Sequence, residues 1–330
     1  MILVTGGTGF VGSHLLLTLA EGVDAVRAIY RRESTLRKTE ALFALHQKSH
    51  LFNKIEWIRG DINDIPSLEI AFPNVTYVYH CAGLISFDPD DERKLRKINI
   101  EGTSNVVNLC LHHQIMKLCH VSSVAALGDA KAIDKIITEE TEWNPEKPHS
   151  YYAISKYGAE IEIWRGQNEG LAVVVVNPGI ILGSGFWNQG SGEIFSHVQS
   201  GLRYYTKGVT GYVFINDVVD AMIKLMHSNI DGERFVLVSE NLSFAKVLHG
   251  IAKALKVKAP QVYAGPTITM LAARIDWFLS RIMGRKRRLS IDAARSLHNI
   301  DYYSNTKIRT ALNTNFTAID DAIVSIANKK

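Results

Sequence analysis

Cysteine is scarce in this chain: Cys81, Cys110 and Cys119 are the only three in 330 residues, and none sits at a spacing that suits a metal site or a disulfide. They read as core thiols of a reducing compartment. No apolar run is long enough for a membrane span. No basic n-region and apolar h-region precede the first strand signal, which starts at Ile2, so a cytoplasmic protein is expected rather than a secreted one. An excess of one charge is missing as well. With 37 Lys and Arg against 33 Asp and Glu, the net charge is only +4, which calls for no nucleic-acid partner. There is no internal repeat and no low-complexity stretch. What remains is an ordinary globular composition, 46% hydrophobic and 21% charged. The length allows one large α/β domain, or a domain with a smaller lobe.

Glycine is placed with purpose at the start. An apolar strand, Ile2 to Val4, runs into Thr5-Gly6-Gly7-Thr8-Gly9-Phe10-Val11-Gly12, and a helix follows with Leu15, Leu16 and Leu19 on one face. Gly6 permits the sharp turn out of the strand. Gly9 removes a Cβ where the backbone must approach a pyrophosphate, and Gly12 lets the helix pack on the sheet. The free N–H groups and the positive end of the helix dipole then face the phosphates of a dinucleotide. The plainer alternative is a tight strand-to-helix turn with no ligand.

Strand and helix signals alternate over about the first 180 residues, which implies a parallel sheet with crossover helices. Strands are expected at 25–30, 54–59, 75–80, 117–122 and 172–177, with long helices over 90–113 and 150–168. Val173 to Val176 is apolar on both sides, as a central parallel strand should be. After Gly179 the rhythm changes to glycines and aromatics, among them Phe186, Trp187, Phe195, Tyr204, Tyr205 and Tyr212, a composition that suits a substrate-facing lobe. Another strand is expected at 235–238, and the last 90 residues read as mostly helical. The expected division is a nucleotide domain over 1–178 with a return segment at about 212–240, and a substrate-binding lobe made of 179–211 and 241–330.

The chemistry-bearing pattern is Tyr152-Ala-Ile-Ser-Lys156 on the helix after the fifth strand. A spacing of four puts Tyr and Lys on one helical face. A free phenol titrates near pH ~10, and a neighbouring ammonium lowers that value toward the working range. The same lysine can hold a ribose. The fifth strand ends in Val121-Ser122-Ser123, where either serine could hydrogen-bond a developing alkoxide or simply tie the loop backbone.

Taken in order, Thr5 to Gly12, Asp61-Ile62, His80-Cys-Ala-Gly83, Asn99, Ser122-Ser123, Tyr152-x-x-x-Lys156 and Asn177-Pro178-Gly179 resemble an extended short-chain dehydrogenase/reductase. The pattern is most similar to the branch of dihydroflavonol-4-reductases, 3β-hydroxysteroid dehydrogenases and bacterial aldehyde reductases, within the NAD-dependent epimerase/dehydratase family. The resemblance covers residues 1 to 240 strongly and the remainder loosely. It implies a Rossmann-type doubly wound sheet with a smaller, mostly helical C-terminal substrate lobe. It assigns catalysis to Ser123, five residues before Gly128, with Tyr152 and Lys156. It assigns cofactor binding to Gly6, Thr8, Gly9, Phe10, Val11, Gly12, Asp61, Ile62, Ala82, Gly83, Tyr152, Lys156 and Pro178. Asn99 matches a family asparagine of mostly structural role. A homodimer through the helices holding Asn99 and Tyr152 is expected by the same analogy. No metal is expected.

Two readings separate members of such a family. After the second strand, where an NAD enzyme carries an acid for the ribose 2′-OH, this chain has Tyr30-Arg31-Arg32. Two guanidiniums suit a 2′-phosphate, so NADP is favoured over NAD. The resemblance also implies that a nucleotide-sugar epimerase would place an asparagine at Ile180 and an arginine at Thr210. Both polar grips are missing, which favours reduction of an aldehyde or ketone by NADPH. The alternatives are a nucleotide-sugar epimerase or dehydratase, a 3β-hydroxysteroid dehydrogenase-like enzyme, and an NADP-sensing binding protein, although sensors of this fold usually lose the tyrosine present here. Finally, residues 267–288 are amphipathic and end in Arg285-Lys286-Arg287-Arg288. They read either as a lid helix with a solvated basic end or as an interfacial membrane helix.

Overall fold

The computed structural model describes residues 1–22, 25–130, 136–187, 190–284, 287 and 289–329. Seven parallel strands form the central sheet: β1 (Ile2–Thr5), β2 (Val26–Tyr30), β3 (Ile55–Arg59), β4 (Tyr77–His80), β5 (Lys117–Val121), β6 (Val173–Pro178) and β7 (Glu233–Leu237). Their spatial order is β7-β6-β5-β4-β1-β2-β3, so the order reverses beside β1, and that reversal opens a crevice at the strands' carboxyl ends. The strand alternation sorts side chains onto two cores. Val174 and Val176 face a cluster with Val4, Leu15, Leu16 and Met222, while Val173 and Val175 face one with Leu3, Val107, Leu118 and Ile163.

Four helices position the crevice. α1 (Phe10–Leu19) begins directly after the glycine turn, α2 (Glu33–Leu45) follows β2, α3 (Gly102–His112) precedes β5, and α4 (Tyr151–Asn168) precedes β6. α4 is capped by Ser150, whose side chain accepts from the Ala153 amide. The long helix expected over 90–113 is not uniform. It comprises a 3-10 turn at Pro89–Asp91, a helical turn at Glu92–Leu95, a π segment at Arg96–Glu101 and then α3. The wider π turn carries Asn99, and such bulges gather at functional sites.

Past Gly179 the chain builds a separate three-stranded sheet from Ile180–Leu182, Val209–Phe214 and Glu240–Ser243. Between these, α5 (Ile215–His227) packs on α1. The remaining chain is mostly helical and includes α6 (Pro266–Met283). Among the described residues, no helix is long and apolar enough to cross a membrane.

Candidate active site

The glycine turn has the shape its sequence calls for. Gly6 takes φ +67, and a Cβ there would lie 2.5 Å from the Ala82 amide nitrogen. A Cβ on Gly12 would meet the Gly6 carbonyl oxygen at 2.2 Å. The turn is therefore closed to any larger residue, and β1, the 82–83 loop and α1 stay in near contact. Gly9 caps α1 with no side-chain hydrogen bond, and no acid lies in its first turn. The amides beginning at Phe10 and Val11 thus meet no competing carboxylate, which suits an anion. Thr8 is half-buried beside them.

At the end of β2, Arg31 and Arg32 are exposed. Arg31 lies 3.8 Å from the carboxylate of Asp61. The residues read as phosphate and adenine contacts therefore come together at one rim of the crevice. Ile62 is different: only 6% exposed, it packs in the core, and its side chain would meet a Cβ on Gly102. Of the Asp61-Ile62 pair, only the aspartate presents a side chain to the rim.

The residues read as catalytic gather at the ends of β5 and β6. Tyr152, 8% exposed, lies beside the side chain of Ser123. Ser123 also accepts from the Ala125 amide at 3.1 Å. Ser122 points away and donates to the carboxylate of Glu160. Of the two serines, Ser122 is withdrawn and Ser123 is the one beside the tyrosine. Lys156 donates to the Val121 carbonyl at 2.8 Å, and its ammonium would lie 3.9 Å from a Cβ on Gly83. Pro178 closes β6 beside Leu237.

The electrostatics depart from the spacing argument. Burial raises the phenol of Tyr152 above its ordinary value, and the Ser123 side chain beside it opposes that rise without reversing it. The Lys156 ammonium is turned to the Val121 carbonyl. Burial drops Lys156 itself to about 8, against the opposing pull of Glu160.

Sequence reasoning missed the support beneath these groups. Glu160, 1% exposed, accepts from Ser122, from Asn177 Nδ2 at 2.6 Å and from Arg234 Nη1 at 3.2 Å. Asn177 also donates to the Ser123 carbonyl at 2.9 Å, so the carboxylate indirectly holds the turn bearing Ser123. Its signal was present: Tyr152, Lys156 and Glu160 recur at intervals of four on α4. Asn99 plays a comparable part. Its amide accepts from the Leu84 N–H at 2.7 Å and donates to the Leu84 carbonyl at 3.0 Å and to Ser155 Oγ at 2.8 Å. It fastens the 82–84 loop to α4. A cavity of about 450 Å³ lies farther off, walled by Tyr205, Tyr212, Phe244, Leu248 and Thr269, and neither Tyr152 nor Ser123 lines it.

Comparison with known proteins points to one family. The model of the NAD dependent epimerase/dehydratase family matches residues 2–237. A putative dihydroflavonol 4-reductase of Synechocystis is 26% identical, over 97% of this chain and 91% of its own. The sterol demethylase protein B of Methylococcus capsulatus is 25% identical, over 81% and 78%. The crystal structure of gox2253 superposes with a TM-score of 0.81 at 24% identity, covering 100% of this chain and 97% of its own. That of the UDP-glucuronic acid 4-epimerase from Bacillus cereus, in complex with UDP-glucuronic acid and NAD, gives 0.77 at 17% identity, covering 99% and 98%. With the glycine turn, the sheet order and a match over most of its length, this chain belongs to the NAD dependent epimerase/dehydratase family, among the extended short-chain dehydrogenases/reductases.

Proposed function

We propose that the protein is an NADPH-dependent reductase of an aldehyde or ketone. The carrying observation is the placement of Tyr152 beside the Ser123 side chain, with Ser122 withdrawn onto Glu160. The residues present fit a phosphorylated dinucleotide: a turn that a Cβ would fill, amides with no carboxylate before them, and two exposed guanidiniums at the end of β2. Gly6, Thr8, Gly9, Phe10, Val11 and Gly12 would hold the pyrophosphate, Arg31 and Arg32 the 2′-phosphate, and Asp61 with the Ile62 backbone the adenine. Ala82, Gly83, Lys156 and Pro178 would line the nicotinamide half.

When bound, the cofactor supplies the hydride that a carbonyl carbon receives. The chain's own residues manage the oxygen. Tyr152 donates the proton, and the upward shift of its phenol keeps it in the protonated form that a donor needs. Ser123 shares the developing charge through a second hydrogen bond. Lys156, cationic below about pH 8, adds positive charge at this end of the crevice and would hold the ribose of a bound cofactor. The nucleotide-sugar reading is less well supported. Ile180 has an apolar side chain and Thr210 carries no charge, which leaves a diphosphate without a cationic grip from either position.

Calorimetric titration with NADPH and NADH, followed by turnover on aldehydes and on UDP-sugars, tests the reading. NADPH should bind several-fold tighter. Replacing Arg31 and Arg32 by Ala should erase most of that difference, since a charge-assisted hydrogen bond is worth roughly 1.5–3 kcal/mol. Equal affinity, or epimerised sugar, would reject it.

A further inference from the structure

α6 shows its large apolar side chains to solvent. Ile268, Leu271, Ile275, Phe278 and Ile282 follow one another at spacings of three and four, so they form one stripe, about 21 Å long at the helical rise. Their exposures run from 50% for Ile275 to 66% for Ile282. The inward face is the small and polar one: the buried residues are Thr269, Ala273 and Ser280. Thr269 bonds His298 at 2.8 Å, and Asp276 accepts from the Leu289 amide at 3.0 Å. The helix is thus fixed to the protein by polar contacts, and its apolar side is exposed among the described residues. An exposed stripe of this kind marks an interaction surface rather than a chance surface leucine.

The charge around the stripe says what covers it. Arg274 and Arg281, seven residues apart, are both exposed on one flank. The sequence continues as Arg285-Lys286-Arg287-Arg288, of which Arg285, Lys286 and Arg288 lie outside the described residues. Asp276 is the one acid between 266 and 288, and it is bonded inward. Six cations against one acid give this segment +5, when the whole chain carries +4. The positive charge of the protein is concentrated here. A second copy of the same face would bring two such segments together at a cost in repulsion.

We propose that α6 docks on a lipid bilayer carrying anionic headgroups, its stripe entering the boundary between headgroups and acyl chains and its arginines meeting the lipid phosphates. The helix lies along the surface and does not span it, since among the described residues no helix is long and apolar enough to cross a membrane. Basic residues near an anionic surface each add to the attraction, and the arginine stems reach outward past the apolar face.

The test uses the full chain and sedimentation with vesicles of phosphatidylcholine alone or mixed with phosphatidylglycerol. The chain should sediment with the mixed vesicles, far less with phosphatidylcholine, and less in high salt. Arg274→Gln with Arg281→Gln should weaken binding to the mixed vesicles by roughly 30-fold. Phe278→Ser with Ile282→Ser should abolish it while leaving the thermal melt in place, which shows that the fold is intact. The proposal is overturned if the unaltered chain ignores anionic vesicles, or if the Phe278→Ser, Ile282→Ser chain binds them as well as the parent. It is also overturned if, without lipid, the parent is a dimer that this double variant makes monomeric, since the stripe would then be covered by a second copy.

Discussion

α4 and α6 are both 18 residues long, and each breaks the usual division of side chains in the opposite sense. α4 buries Tyr152, Ser155, Lys156 and Glu160, all polar or ionisable, and gives each a partner. α6 exposes Leu271, Phe278 and Ile282 and buries Thr269 and Ser280. Burying polar groups costs free energy unless every hydrogen bond is made, so α4 holds its residues in fixed places. Exposing apolar ones forgoes stabilisation, so α6 keeps its stripe available. One helix gives up stability for geometry, the other for adhesion. Folded proteins depart from the ordinary rules chiefly at functional places, and both departures here fall in one chain.

The sharpest way to break the comparison is to remove chemistry from α4 without changing its packing. Tyr152→Phe keeps the ring and deletes the proton. It should bind NADPH normally in calorimetry yet lose on the order of 10²–10⁴ in turnover. Near-full activity would move the site elsewhere, with Tyr151 the next residue to test.

A stability pair comes next. Glu160→Leu leaves Arg234 beside a buried apolar group and frees Ser122 and Asn177, and it should destabilise by about 3–5 kcal/mol in urea unfolding. Phe278→Ser on α6 should shift the same curve by less than about 0.5 kcal/mol, because the ring contributes its area to solvent and not to the core. Equal losses from both would mean that α6 is packed and that the contrast is false.

The smallest effect is one of pH. Burial holds Lys156 near 8, so it is a cation below that value and neutral above it. Turnover should therefore decline as pH rises through about 8, and Lys156→Arg should move the decline upward. The stability sign runs the other way. The folded value lies below the free 10.5, so burying this lysine costs most below 8, and the cost fades as pH climbs toward 10.5. A decline that stays near 8 in Lys156→Arg would belong to another group.

Much of α4 and of the nucleotide half was legible in the sequence. Strand periodicity, the glycine turn and the four-residue spacing of Tyr152 and Lys156 are local signals, and local geometry fixes them. Glu160 was not read, because a glutamate in a helix ordinarily faces water, and only the sheet packed against α4 buries it. The withdrawal of Ser122 was likewise invisible until Glu160 and Asn177 were in place to hold it. For α6 the periodicity announced a stripe but not its direction. A spacing of three and four defines a face, and only tertiary packing decides whether that face meets the protein or the solvent. The π segment at Arg96–Glu101 left no signal in composition either.

The most direct test of the reductase account follows a labelled hydride. The chain is supplied with NADPH deuterated at nicotinamide C4 on the transferable face, each face being prepared in turn, together with an aldehyde. The product alcohol is examined by mass spectrometry for deuterium on its carbinol carbon, alongside the cofactor consumed. The account predicts one deuterium in each alcohol from one of the two labelled cofactors, matched by an equal loss of NADPH, and no label in the Tyr152→Phe product above its residual turnover. Unchanged NADPH and unlabelled aldehyde, with a UDP-sugar inverted under the same conditions, would contradict it.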